Sequence, residues 1–245
     1  MPATSLFSSF LMPLHGLVLL FRAGLRRYVF APLLINILIF GLTAWIGVIY
    51  FEEFINWALP PDSWMRYLEW LLWPLFALTY LVIAFYSFTL VANLIASPFN
   101  SILAAQVEKA LTGKLPEDHS GSVMAEIIPA ITGELGKIWY FALRAVPVLI
   151  LMIIPGLNAV GSVLWLLLGF WFLSIEYVDY PMGNYHLRPA EQRRILRQRP
   201  FQTWAFGAGA NLLMMIPLVN FAAMPASVAG ATLWWVKSMQ GQGKA

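Results

Sequence analysis

The sequence predicts an all-α integral membrane protein with two full transmembrane helices, two re-entrant helical hairpins and interfacial amphipathic helices. Of its 245 residues, 60% are hydrophobic and only 11% are charged, whereas soluble domains carry about 25% charged residues. Long stretches without any charged residue, beginning with Tyr28 to Phe51, give the transmembrane prediction. We treat residues 1–245 as a single membrane domain.

The first uncharged stretch predicts a transmembrane helix over residues 28–51. Its 24 residues rise roughly 36 Å as a helix, more than the ~30 Å hydrocarbon core of a bilayer. Residues 1–21 contain no charged residue and so lack the basic start of a signal peptide, and we expect them to be retained as part of the interfacial segment 1–27. Their apolar residues recur at three- and four-residue spacing and predict an interfacial helix. These residues are Leu6, Phe10, Leu14, Leu17, Val18 and Phe21.

The second uncharged stretch, Trp70 to Val107, contains 38 residues, too many for one span. We place the second span at residues 70–96. A new helix is predicted to start at Ser97–Pro98, because serine caps helix N-termini and proline is favoured in the first turn. Residues 97–144 are then helices on the cytoplasmic side, the first of them ending at Gly113.

Two further uncharged stretches are predicted to be hairpins, over residues 145–175 and 201–236. Each is interrupted by an Ile-Pro pair, Ile154–Pro155 in one and Ile216–Pro217 in the other, with an asparagine shortly after it. The arms of roughly 15 residues, about 22 Å as helix, are too short for a full crossing. Paired, proline-broken segments point to a transport site. Ordinary short hairpins within a helix bundle are the alternative.

The distribution of charge predicts the topology. The chain before the first span and the connection from 176 to 200 are rich in arginine, whereas the loop from 52 to 69 is acidic. Cytoplasmic segments of membrane proteins carry the excess of lysine and arginine. We therefore expect a multi-pass protein with both termini in the cytoplasm.

Gly24, Leu25, Arg26 and Arg27 immediately precede the first predicted span. The N-terminus of a helix offers unsatisfied N–H groups and the positive end of the helix dipole, and each guanidinium group can hold an oxyanion with paired hydrogen bonds. This chemistry suits a small anion such as sulfate or phosphate. Arginines beside a span also serve to fix topology, and this interpretation stays open.

Four further residues are candidates for lining an ion path: Asn93, Asn100, Glu108 and Arg144. Charges at membrane depth are costly, so an ionisable residue there is a functional candidate. For the two asparagines, helix capping and interhelical hydrogen bonds are the alternative.

Several function classes lack their sequence signals. There is no cysteine, and His15, His119 and His186 are too dispersed for a metal site. No phosphate-binding loop, dinucleotide fingerprint or nucleophile elbow is present, so we expect no cofactor and no enzymatic activity. Glu176 and Asp179 form a carboxylate pair without a nucleophile or metal ligand. So hydrophobic a chain is not expected to bind nucleic acid.

The motifs together resemble the bacterial sulfate permease CysZ family. The resemblance covers nearly the whole chain. It is carried by Gly24–Tyr28, Ala31–Asn36, Asn93–Asn100, the two Ile-Pro phrases, Asp179–Pro181 and Gly230–Thr232.

The resemblance implies an inner-membrane permease or channel that imports sulfate for cysteine biosynthesis. By position it makes Gly24, Leu25, Arg26 and Arg27 the sulfate site. One departure concerns Pro147, which follows Arg144 by three residues, whereas the family is expected to have a proline just before the arginine.

Besides sulfate and membrane lipid, we expect a second copy of the chain as a partner, because two spans and two half-hairpins can hardly enclose a pore. Two alternatives remain. One is a membrane assembly or scaffolding protein without autonomous transport. The other is a membrane enzyme that acts on lipid headgroups through Glu176 and Asp179.

Overall fold

The computed structural model describes residues 5–238, apart from 23, 60–63 and 117–122, and describes only the backbone at 32, 65–66, 88–97 and 123–135. The described residues form only helices, as predicted. The α-helices are α1 Leu6–Leu20, α2 Arg27–Ala58, α3 Glu69–Thr112, α4 Val123–Ile153, α5 Asn158–Gly183, α6 Pro189–Arg197, α7 Pro200–Met215 and α8 Pro217–Ser238, and a 3-10 helix covers Trp64–Leu68.

Among the described residues, four segments are long and apolar enough to cross a membrane: Arg27–Ala58, Glu69–Ser87, Gly136–Ile153 and Asn158–Gly183. The first two overlap the predicted spans at 28–51 and 70–96. This confirms an all-α protein of membrane type.

The chain divides into two compact units. Unit 1 comprises Met1–Val29 with Asn100–Ala245, and unit 2 comprises Phe30–Phe99. Within unit 2, α2 and α3 lie side by side. The Tyr80 hydroxyl donates a hydrogen bond of 2.8 Å to the Phe40 carbonyl, and the rings of Phe51 and Phe76 stack with centroids 4.2 Å apart.

The helix start predicted at Ser97–Pro98 is wrong. The 44-residue helix α3 passes through these two residues without a break, and Pro98 lies inside it. A proline inside a helix removes one N–H donor, and neighbouring groups in membrane helices can compensate for it. The site is nevertheless structurally distinct, since the two compact units meet in sequence at Phe99 and Asn100. The predicted helix end at Gly113 is confirmed, with a positive φ of 76° there.

The structure has a break between helices at both predicted turns. The first follows Ile153 and contains Gly156 with φ +85°, and the second is the single extended residue Ile216 before Pro217. The arms are longer than expected, with 31 and 26 residues in α4 and α5. Since both arms of the first hairpin meet the length needed for crossing, partial penetration stays a prediction.

Helix α1 packs against α7 and α8 in the core of unit 1. Its buried face includes Ser9 and Gly16, whereas the apolar stripe predicted for an interface is exposed at Leu6, Leu14 and Val18. A Cβ atom at Gly16 would overlap the Ala226 carbonyl oxygen. The small residues Ser9 and Gly16 thus allow close helix approach on the buried face, which also contains Met12, Leu19 and Leu20.

Candidate anion site and interior polar cluster

The predicted anion motif forms the turn between α1 and α2. Helix α1 ends at Leu20, Gly24 has φ +92°, and α2 begins at Arg27. A glycine suits this position because residues with a side chain rarely adopt the left-handed region. The motif therefore has a defined backbone shape that the sequence alone indicated only through residue type.

Leu25 anchors this turn to the core of unit 1. Its side chain is only 5% exposed and belongs to the same hydrophobic cluster as Leu103 and Val107 of α3. Arg26 and Arg27 are both exposed. One residue of the motif thus holds the turn in place while the next two present their charges to the surroundings.

The Arg26 guanidinium is fixed by the chain before it. Its Nε and Nη2 groups donate hydrogen bonds of 3.1 and 2.9 Å to the Phe21 carbonyl oxygen. Its Nη1 group donates to no acceptor in the described part of the chain, so the edge formed by Nη1 and Nη2 can still hold an oxyanion. Its orientation is set before any ligand arrives.

Arg27 turns toward its neighbour. Its Nη2 donates to the Tyr28 hydroxyl at 2.9 Å, and its guanidinium carbon lies 4.9 Å from the centre of the Tyr28 ring. Neither Arg26 nor Arg27 forms an ion pair with a carboxylate that the structure describes. The two positive charges are therefore not neutralised by described acidic side chains.

The backbone N–H groups of this turn are partly used. The Leu25 N–H donates to the Arg22 carbonyl oxygen at 3.3 Å. Those of Gly24 and Arg26 have no acceptor among the described residues. The hydrogen-bonding capacity expected near Gly24 and Leu25 thus lies on Gly24 and Arg26.

A second polar region lies inside unit 1, around the C-terminal part of α5. The Lys137 ammonium lies 2.6 Å from Asp179 and 3.7 Å from Glu176, and the lysine side chain is only 10% exposed. Gln192 of α6 donates to the other Asp179 oxygen at 2.7 Å. This buried ion pair therefore joins α4, α5 and α6.

The residues that directly follow α5 are hydrogen-bonded to α3. Glu108 is 2% exposed and accepts a hydrogen bond from the Tyr185 hydroxyl. The Asn184 amide accepts from the Ser101 hydroxyl at 2.8 Å and donates to its carbonyl at 3.1 Å. We call the residues of this paragraph and the preceding one the interior polar cluster.

The structure separates the four path candidates. Asn100 and Glu108 are buried in unit 1 and lie two turns apart on α3, and Glu108 belongs to the interior polar cluster. The side chain of Asn93 lies outside the described part of the chain. Arg144 lies elsewhere, with its guanidinium 3.5 Å from the centre of the Tyr140 ring.

Sequence reasoning missed Lys137 and Gln192. Lys137 falls in the residues predicted only as cytoplasmic-side helices, and Glu176 and Asp179 are predicted only as a carboxylate pair. Two acids one helical turn apart at the end of an apolar stretch call for a buried cation, and that signal pointed to a lysine or arginine partner.

These features define the class of the protein, an all-α membrane protein with an exposed arginine pair at the start of its first long apolar helix. Residues 12–225 match the family described as Sulfate transporter CysZ/Etoposide-induced protein 2.4, and the chain belongs to this family. The resemblance seen in the sequence is thereby confirmed.

Three relatives, each named Sulfate transporter CysZ, are similar along most of their length. The one from Pseudomonas paraeruginosa is 40% identical over 227 residues, covering 91% of this chain and 92% of the relative. The one from Pseudomonas fluorescens is 40% identical, with 91% and 90% covered. The one from Pseudomonas syringae pv. tomato is 37% identical, with 91% and 89% covered.

Proposed function

We propose that this chain is a sulfate permease of the bacterial inner membrane, which imports sulfate for cysteine biosynthesis. The names of its relatives support sulfate as the ion. One observation on this chain supports the site: Arg26 and Arg27 are exposed at the start of α2 without a described acidic partner. Neither the names of the relatives nor the exposed arginine pair requires an enzymatic step.

The proposed sulfate site uses three kinds of donor. The Nη1 and Nη2 edge of Arg26 and the guanidinium of Arg27 supply charged hydrogen bonds, and the N–H groups of Gly24 and Arg26 supply neutral ones. Because the Phe21 carbonyl already holds Arg26, little side-chain entropy is lost on binding. An exposed site of this kind binds weakly enough to release the ion, as conduction requires.

For the path beyond this site we propose the polar side chains of α3 and the interior polar cluster. Asn100 is buried on α3, and its amide group is of the type that donates a hydrogen bond to a passing oxyanion. Asp179 alone would repel sulfate, but Lys137 offsets its charge at 2.6 Å. We propose Glu108 as a gating residue on this path. Asn93, seven residues before Asn100 on α3, is proposed as a further lining residue.

The energy source for transport and the assembly of the pore complete the proposal. Without a nucleotide-binding motif in the sequence, transport would be driven by the ion gradient, by a coupled ion or by consumption of sulfate inside. A homo-oligomer is proposed to complete the pore. The alternative of an assembly or scaffolding protein is tested by the same measurement as transport.

The double variant Arg26→Ala/Arg27→Ala is expected to lose sulfate uptake. Hydrogen bonds to charged groups contribute about 1.5–3 kcal/mol each, so removing both guanidinium groups should lower uptake at subsaturating sulfate by more than about 10-fold. The measurement is radiolabelled sulfate uptake into liposomes holding the purified protein, with chloride and phosphate as competitors.

The matched control for this experiment is Arg194→Ala/Lys237→Ala, which removes the same charge from exposed positions on α6 and α8. It should transport as the wild type does. Wild-type uptake in the Arg26/Arg27 variant would leave these arginines a topological role. No uptake by the folded wild type above empty liposomes would favour the scaffolding role instead.

A second test separates the shape of the turn from its charge. Gly24→Ala and Gly113→Ala each place a side chain at a positive φ, 92° and 76°, with open space around the new Cβ. Both should cost about 1–2 kcal/mol of stability. Only Gly24→Ala is expected to raise the sulfate concentration that gives half-maximal uptake, by several-fold. Equal uptake curves for the two variants would mean that the turn does not shape the site.

A further inference from the structure

Tyr140 of α4 is surrounded by three arginines. The guanidinium carbons of Arg144, Arg193 and Arg197 lie 3.5, 4.7 and 6.0 Å from the centre of its ring. Arg144 comes from the same helix, and the other two come from α6. The position of Arg144, which the sequence suggested for an ion path, is explained by this cluster.

The three arginines lack a described counter-charge. None of them forms an ion pair with a carboxylate in the described ranges, and the Arg193 Nη1 atom is buried with no hydrogen-bond partner there. The Tyr140 hydroxyl accepts hydrogen bonds from Trp171 at 3.2 Å and Arg197 at 3.5 Å. Three like charges around one ring repel each other unless an anion offsets them, and the ring alone offsets them only in part.

A cavity of about 700 Å³ opens beside this cluster. It has a charged end at Arg144 and Arg197, and its other lining residues are aromatic or aliphatic, with no acidic residue among them. Along α4 the lining runs from Tyr140 to Val148, roughly 12 Å of helix. The remaining lining residues are Leu143, Pro147, Leu164, Leu167, Leu168, Trp171, Pro200 and Trp204.

We propose that this cavity, the Tyr140 pocket, binds an anionic phospholipid. Its phosphate lies against Arg144 and Arg197, with Arg193 behind them at the Tyr140 ring, and the first part of an acyl chain lies along Leu143, Leu164 and Leu168. Guanidinium groups suit phosphate oxygens, and an anionic headgroup next to hydrocarbon matches the change from charged to apolar lining. A free, hydrated oxyanion gains nothing from the apolar part of the cavity.

The position in the chain fits a lipid at the membrane boundary. Tyr140 lies one turn into the segment Gly136–Ile153, which is long and apolar enough to cross a membrane, and Arg144 lies one turn further on. The arginines of α6 belong to a short polar helix just before α7. Basic pockets beside transmembrane helices are a known way of holding anionic headgroups.

Binding of short-chain phosphatidylglycerol to the detergent-solubilised protein tests this proposal, with phosphatidylcholine of the same chain length as the neutral comparison. Native mass spectrometry and titration calorimetry both report the bound lipid. We expect the wild type to bind phosphatidylglycerol at least ~10-fold more tightly than phosphatidylcholine, because charge-assisted hydrogen bonds contribute about 1.5–3 kcal/mol.

Two variants address the two ends of the pocket. Arg144→Gln/Arg197→Gln removes charge, and Leu164→Trp fills the apolar end with the arginines intact; each should weaken phosphatidylglycerol binding at least ~10-fold. Arg194→Gln, an exposed arginine of the same helix α6, is the control and should bind as the wild type does. The Arg26→Ala/Arg27→Ala variant should also bind lipid normally, so this test stands apart from sulfate transport.

Three results would overturn the proposal. Equal affinity for the two lipids would remove the role of charge. Undiminished binding in both pocket variants would place the lipid elsewhere. Inorganic phosphate or sulfate that binds as tightly as the lipid, with loss in the arginine variant but not in Leu164→Trp, would make this a site for free oxyanions.

Discussion

Gly207→Ala is expected to prevent stable folding, whereas Gly169→Ala should not. Gly207 of α7 faces α5 so closely that an added Cβ would overlap the Phe170 carbonyl group. The overlapped atoms are backbone, so relief requires the two helices to move apart. Overpacking a core costs about 1–3 kcal/mol and occasionally more, and at a backbone contact we expect the upper part of this range or beyond.

Gly169 is the matched control because it lies next to Phe170 on α5 and an added Cβ there meets nothing within 4 Å. Alanine is favoured over glycine in a helix interior by about 1 kcal/mol, so this variant should be as stable as the wild type or slightly more so. Thermal unfolding in detergent, followed by size-exclusion chromatography, measures both. Similar unfolding midpoints for the two variants would contradict the close packing of α5 on α7.

The sequence predicted the helices of this protein well because the relevant signals are local. Uncharged length located the membrane helices, and the Ile-Pro pairs at Pro155 and Pro217 marked both breaks between helices. The prediction at Ser97–Pro98 was wrong because this signal is also local. A serine and proline favour a helix start locally, but in α3 the helix continues through them, and what changes there is the compact unit to which the chain belongs.

The orientation of faces could not be predicted by the same means. The stripe of Leu6, Leu14 and Val18 follows helical periodicity, but periodicity does not say whether apolar residues face protein or surroundings. In a membrane the protein interior and the lipid are both apolar, so the face that packs against other helices is the one that allows close backbone approach. In α1 the small residues Ser9 and Gly16 mark that face.

The candidate anion turn was predicted from adjacent residues, whereas the other two polar regions depend on tertiary contacts. Gly24 to Arg27 are contiguous, so their chemistry is visible in the sequence. Lys137 meets Asp179 across 42 positions, and Arg144 meets Arg197 only through the Tyr140 ring. Without knowing which helices pack together, one cannot tell a partnered charge from a path-lining one.

Asp179→Leu is expected to destabilise the protein by about 1.5–3 kcal/mol, because it removes the nearest carboxylate from the largely buried Lys137 ammonium. Lys137 would lose its contact at 2.6 Å, and Glu176, whose side chain is 47% exposed, lies farther away at 3.7 Å. Gln192 would lose its acceptor on the same carboxylate. Chemical unfolding in detergent measures the loss, with Glu53→Leu at an exposed position as control.

The double variant Lys137→Met/Asp179→Leu separates stability from transport. Replacing both members of a buried ion pair by apolar residues is often neutral, so the double variant should recover most of the stability lost by Asp179→Leu. If the proposed path passes this pair, the recovered protein still fails to take up sulfate, because Lys137 is gone and the negative charge of Glu176 remains beside the path. A stable double variant with wild-type uptake would instead make the pair a purely structural link between α4 and α5, and would confine the sulfate path to α3.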